Sequence, residues 1–256
     1  AYAVRAIHLL EGKMLLDSSG NNTVQQNLNC PAINGPSLVL GDGVELNYDT
    51  PLERYNDRLV QYIGTQTCAR LTAGVLTLCG PDVYPANVHT FDINDGADEI
   101  DLLIASQLKV FPGATAISDV VKTGAGTLKF GSNSGYYRGR TVVRNGRLVI
   151  GGSVSSNVVG PLGQSTNVIQ FGDALSQSTD NPALIFEGAA MSALACNRAI
   201  VVDRLSGVAT IGSYSNINLT LSGSMVVSNT LALFSMTTGT NSLFVTGVIS
   251  GSGGVT

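Results

Sequence analysis

The chain has 256 residues, enough for a sizeable core, with only 12% charged side chains, 14 Lys and Arg against 18 Asp and Glu, and a pI near 5.1. That balance lacks the basic excess that phosphate-backbone binding needs, which sets nucleic acid aside as a partner. Apolar runs stop well short of the roughly 18–20 residues of a membrane span, so no span is expected in this segment, and the abundance of Gly, Ser, Thr and Asn favours β structure.

Taken in chain order, the apolar residues come in short runs: LVL from Leu38, GVLTL from Gly74, LVI from Leu148, ALIF from Ala183 and LTLSG from Leu219. Turn formers separate them, as in DSSGNN (17–22), GSNSG (131–135) and GSGG (251–254). Short period-two runs between such clusters predict strands. Helix is expected to be scarce. Its best window, MSALACNRA (191–199), aligns with a strand-bearing stretch elsewhere in the chain.

That alignment is possible because the chain repeats itself. With Gly12 set on Gly146, AIHLLEGKMLL lies under TVVRNGRLVIG, and LVLGD from Leu38 lies under IQFGD from Ile169. NDRLV from Asn56 matches NRAIV from Asn197, and TLCG from Thr77 matches TLSG from Thr220. Landmarks keep their order while insertions shift the offset, which is the signature of a solenoid. The expected architecture is an all-β, right-handed single-stranded parallel β-helix. Residues 1–120 form a divergent copy with insertions, and residues 121–256 a second unit continuous with the first. Asn145, Asn216 and Asn218 are candidates for side-chain ladders at its corners. Leu128, Val142, Leu148, Ile169 and Ile185 are expected to point inward. Neither end reads as a polar cap, so each is expected to be continued, by further repeats or by another copy stacked end to end or laterally.

The stretch VVKTGAGTLKFGSNSGYYRGRTVVRNGRLVIGG carries a specific motif: Lys122, Gly124, Gly126 and Leu128, then Tyr137, Gly139 and Thr141, then Asn145, Gly146 and Leu148. It strongly resembles the autotransporter passenger-associated β-strand repeat. The likeness covers most of residues 120–256. It implies a right-handed β-helix on a very large secreted or surface protein of a Gram-negative-type bacterium, where such segments serve as passengers, adhesins or scaffolds. On that basis Lys122, Gly124, Gly126, Leu128, Gly139, Thr141, Gly146 and Leu148 are structural motif residues. The expected function is non-enzymatic: to extend, display or self-assemble outside the cell. An adhesin binding a host or cell-surface glycan is the alternative, and a carbohydrate-active β-helix enzyme a more distant one.

Other chemistry is sparse. The acidic run DINDGADEID offers Asp92, Asn94, Asp95 and Asp98 as a loose calcium loop, against a solvated, turn-rich corner as the other reading. Calcium is the only candidate cofactor. Arg138, Arg140 and Arg144 share strand parity and, with Tyr136 and Tyr137 beside them, suggest a strip for an anionic glycan or protein in which Tyr137 is the assigned aromatic; solvated edge charges that discourage strand pairing are the competing reading. His8 and His89 have no nucleophile motif beside them, and no catalytic residue is assigned. Cys30, Cys68, Cys79 and Cys196 have no metal spacing. A Cys68–Cys79 bridge and plain buried thiols are both consistent with the sequence.

Overall fold

The computed structural model describes residues 7–10, 13–16, 38–48, 52–53, 58–72, 75–77, 87–109, 117–132, 134–189, 192–203, 207–214, 217–235 and 242–256. Among these residues there is no helix. The chain advances in successive passes. The first carries β1 (Ile7–Leu9) and β2 (Lys13–Leu16). The next three carry β3 (Leu38–Leu40), β4 (Glu45–Tyr48) and β5 (Leu52–Glu53); β6 (Arg58–Tyr62), β7 (Ala69–Thr72) and β8 (Val75–Thr77); and β9 (Asn87–Ile93), β10 (Leu102–Ile104) and β11 (Gln107–Lys109). A fifth holds β12 (Ser118–Thr123) and β13 (Thr127–Phe130).

The same grouping of two, three, three, three and two then recurs. It runs through β14 (Thr141–Val143) and β15 (Arg147–Ile150); β16 (Ile169–Phe171), β17 (Ala183–Phe186) and β18 (Ala193–Cys196); β19 (Ile200–Val202), β20 (Val208–Ser213) and β21 (Asn218–Leu221); β22 (Met225–Val227), β23 (Thr230–Ser235) and β24 (Leu243–Val245); and β25 (Ile249–Ser250) and β26 (Gly254–Val255). One 10-stranded sheet runs β1-β3-β6-β9-β12-β14-β16-β19-β22-β25, and a second runs β2-β4-β7-β10-β13-β15-β17-β20-β23-β26. Two 3-stranded sheets, β5-β8-β11 and β18-β21-β24, make a third surface. Each strand of the first thirteen therefore has a counterpart thirteen strands later in the same sheet position. The strand-to-strand pairings are parallel, as in Val120↔Thr141, Thr141↔Ile169 and Ile169↔Ile200. The chain is thus all-β with long parallel sheets, an arrangement consistent with a parallel β-helix or a similar β-rich fold.

Among the described residues, the two passes where the sets of thirteen meet, β12–β13 and β14–β15, carry no third-sheet strand. There Tyr136 N–H donates to the Leu108 carbonyl, and Val154 bridges in parallel to Cys196 in β18. The window 191–199 supplies β18, so strand pairing across passes overrides its weak helical periodicity.

The core lies between the sheets and takes alternate residues of each strand. Leu128, Leu148 and Ile169 are fully buried in it, together with Phe130, Ile150, Phe171, Leu184 and Phe186. Val142 and Ile185 are buried too, but not inward as expected. They have the opposite parity to their core neighbours Val143, Leu184 and Phe186. In the second sheet one outward row runs Lys129, Val149, Ile185, Gly212 and Phe234. Two side-chain bridges close over it. Lys129 pairs with Glu187 at 2.8 Å, spanning the strand that holds Val149, and Arg147 Nη1 donates to the Tyr214 hydroxyl at 3.1 Å, spanning the strand that holds Ile185. The Phe234 ring occupies the space a side chain at position 212 would fill, which explains Gly212. On the first sheet, Val121 and Val142 are neighbours in an outward row flanked by Arg140 and Arg144.

One sequence alignment needs a one-residue correction. NDRLV over NRAIV sets Val60 on Val201, yet Val60 is in the core while Ile200 and Val202, not Val201, are its inward counterparts.

Candidate functional site

The corner between the first and second sheets holds the buried polar residues Lys122, Asp101 and Thr127. Gly124 and Gly146 have φ of 73° and 68°, a region that β-carbon-bearing residues avoid. A β-carbon at Gly124 would also strike the Ile93 carbonyl, and one at Gly146 the carbonyls of Gly126 and Gly124. Gly126 meets the Asn94 carbonyl in the same way. These glycines let successive passes approach until carbonyls crowd together, and Lys122 answers that crowding. Its ammonium is fully buried and donates to the carbonyls of Thr123 at 2.6 Å, Gly124 at 2.8 Å and Asn145 at 3.0 Å. Burial pushes the amine down to about 7, opposed by the charges of Asp92, Asp101 and Asp95.

Carboxylates play the reciprocal part. Buried Asp101 accepts from the Gly96 amide at 2.7 Å and the Thr127 amide at 2.6 Å; burial raises its pKa while these two bonds lower it. One oxygen of Asp42 accepts from the amides of Thr65, Gln66 and Thr67 and from the Tyr62 hydroxyl at 2.8–3.0 Å. The Gln66 and Thr67 amides are the main reason Asp42 is held down at about 2. Farther along, Asn145 Oδ1 accepts from Gly146 and from Asn181 of the next pass, and Asn181 Oδ1 accepts from Val208 of the pass beyond. Asn218 Oδ1 accepts from the Ser242 amide in the same manner. Two of the three candidate ladder asparagines thus bridge passes; Asn216 lies outside the described residues.

The acidic run does not assemble a calcium site. Asp92 sits in β9, its two oxygens accepting from Gln61 Nε2 at 3.0 Å and Thr123 Oγ1 at 2.9 Å, and Asp98 accepts from the Cys68 amide at 2.8 Å. Asn94 and Asp95 are exposed. Among the described residues no group of three or more His, Cys, Asp and Glu side chains is placed to hold a metal ion. Asp92 and Asp98 each turn to bond groups of neighbouring passes, Asp92 on both sides and Asp98 on one.

The arginine strip also resolves residue by residue. Arg140 pairs with Asp119 at 2.7 Å, one strand away, and its Nη1 reaches Gln170 at 3.2 Å. Arg144 grips both oxygens of Asp173 at 2.8 and 3.0 Å. These two arginines clip β14 to its neighbours on either side. Arg138 is exposed, and no described residue pairs with its guanidinium. Tyr137 corrects the expectation: it is fully buried, its hydroxyl shares a hydrogen with Thr141 Oγ1 at 2.9 Å, and burial pushes it up to about 12. Burial alternates residue by residue through 136–141, so Tyr136, not Tyr137, shares the outward side with Arg138 and Arg140. Strand parity counted from Arg138 selects Tyr136.

Of the motif residues, Lys122, Leu128, Thr141 and Leu148 are fully or almost fully buried, and Gly139 is buried behind the strip. Sequence reasoning missed Arg198, whose guanidinium is buried and donates to the carbonyls of Leu162 at 2.6 Å and Asn167 at 2.7 and 2.9 Å. It fastens the loop 151–168 to the next pass. Burial lowers its pKa and raises the nearby Cys196 thiol to about 11. Cys196 and half-buried Cys68 are free thiols; Cys30 and Cys79 lie outside the described residues, as does the His8 side chain. His89 is buried in the core. No helix in the described residues is long and apolar enough to cross a membrane.

Comparison with family models, with curated proteins and with solved structures finds no match to this chain.

Proposed function

We propose that this chain is a non-enzymatic structural segment of a large secreted or surface-displayed bacterial protein, shaped as a right-handed single-stranded parallel β-helix. The observation that carries this reading is the strand-for-strand repetition of thirteen strands, with two 10-stranded parallel sheets running through both sets. A unit that stacks on its own copy extends by adding copies, so repeat number sets length. The polar chemistry points the same way, because buried Lys122, Asp101 and Arg198 and half-buried Asp42 bond carbonyls and amides of the backbone. Resemblance of the Lys122–Leu128 and Tyr137–Leu148 motifs to the passenger-associated repeat supports placement outside a Gram-negative-type cell.

Its partners in this reading are further repeats of the same polypeptide or other copies, stacked end to end or laterally. Protease treatment of intact source cells tests the placement. Fragments of this segment released without cell lysis are expected; full protection on intact cells with cleavage only after lysis would overturn it.

A further inference from the structure

We propose that the surface strip Lys109–Tyr136–Arg138 is a binding site for an acidic polysaccharide, a chain of sugars bearing carboxylates or sulfates. It lies beside β11, the last strand of the first 3-stranded sheet. Gln107 and Lys109 of β11 point outward on either side of buried Leu108, and the Tyr136 N–H donates to the Leu108 carbonyl, which sets Ser134 and Tyr136 beside them. Gln107 Nε2 donates to Ser134 Oγ at 2.6 Å, and Ser134 is hydrogen-bonded to Ser132. Lys109 Nζ lies 5.2 Å from the centre of the Tyr136 ring. Beyond them, Arg138 projects outward with no described partner, and Arg140 follows, neutralised by Asp119.

Four kinds of contact therefore follow one another along a single outward line: hydroxyl and amide groups, an exposed aromatic ring, a cation resting on that ring and an uncommitted guanidinium. An aromatic ring stacks on the apolar face of a sugar, hydroxyls and amides bond its hydroxyl groups, and an unpaired guanidinium grips carboxylate or sulfate bidentately. The two cations favour an anionic chain over a neutral one, and the ring with its serine and glutamine neighbours favours sugar over acidic peptide. This site stands whether the segment acts as a scaffold or not.

The intact chain is tested by titration at low salt with polygalacturonate, heparin, neutral dextran and polyglutamate. Binding to polygalacturonate or heparin is expected, the two arms separating carboxylate from sulfate, with dextran and polyglutamate at least tenfold weaker. Tyr136→Ala and Arg138→Ala should each weaken binding about tenfold or more, while Arg70→Ala, an exposed cation in β7 of the second sheet, leaves it within twofold; thermal melts confirm that each variant is folded. Absence of binding to both acidic polysaccharides, equal binding of polyglutamate, or indifference to Tyr136→Ala in a folded variant would overturn the site.

Discussion

Lys122 is a buried charge bonded to carbonyl groups alone, and that makes its contribution measurable. Replacing it with Met leaves three buried carbonyls without donors, at about 1–3 kcal/mol for each unsatisfied group, less whatever water recovers. The effect depends on pH. Between about 7, where burial holds the amine, and its ordinary 10.5, the unfolded chain keeps a proton that the folded chain has shed. Stability from this group therefore rises with pH across that window and is flat below it. The difference in denaturant midpoint between wild type and Lys122→Met should change from pH 7 to 10; a constant difference would contradict the buried amine.

Asp42 works with the opposite sign. Its folded value lies near 2, below the ordinary 3.8, so the stability it contributes is fully present above about pH 4 and is lost as pH falls toward 2. Asp42→Ala should remove that part of the acid transition while leaving the neutral-pH fold intact by circular dichroism.

At the scale of elements, inward and roofed positions should respond differently to truncation. Leu148→Ala opens a cavity in the core and should cost about 2–5 kcal/mol. Ile185→Ala loses burial only beneath the Arg147–Tyr214 bridge, where side chains can close or water can enter, and should cost about 1.5–3 kcal/mol. Equal costs, read by chemical denaturation, would erase the distinction between the two faces. Gly124→Ala should cost at least about 1–3 kcal/mol from its left-handed backbone alone, with further strain from the Ile93 carbonyl.

The strand positions, the repeat and the corner glycines were legible in the sequence because they follow from short-range patterning. LVL, ALIF and LTLSG each became a strand, and the Lys122–Gly126 motif became a corner. What the sequence hid depends on neighbours one pass away. Val142 and Ile185 read as core residues because their apolar character says nothing of which face is roofed. Asp92 and Asp98 read as one calcium loop because their carboxylates are close in sequence, yet they bond Gln61 and the Cys68 amide in another pass. The Val60–Val201 slip arose because a one-residue offset still aligns apolar letters while reversing the face. Tyr136 and Tyr137 differ in the same way: neighbours in sequence, they take opposite faces, and only Tyr136 shares the parity of Arg138.

At the scale of the molecule, the central claim is that passes stack in parallel, each adding one strand spacing. Thr90 and Ser250 lie in one outward row of the first sheet, linked through Val121, Val142, Gln170, Val201 and Val226. Spin labels at Thr90→Cys and Ser250→Cys, in a chain whose own cysteines are replaced, read that stack directly by pulsed dipolar spectroscopy. Six spacings of about 4.8 Å place them roughly 29 Å apart, give or take the label linkers, in one narrow distribution. A distance below about 20 Å, or a broad distribution spanning several strand spacings, would contradict the stack.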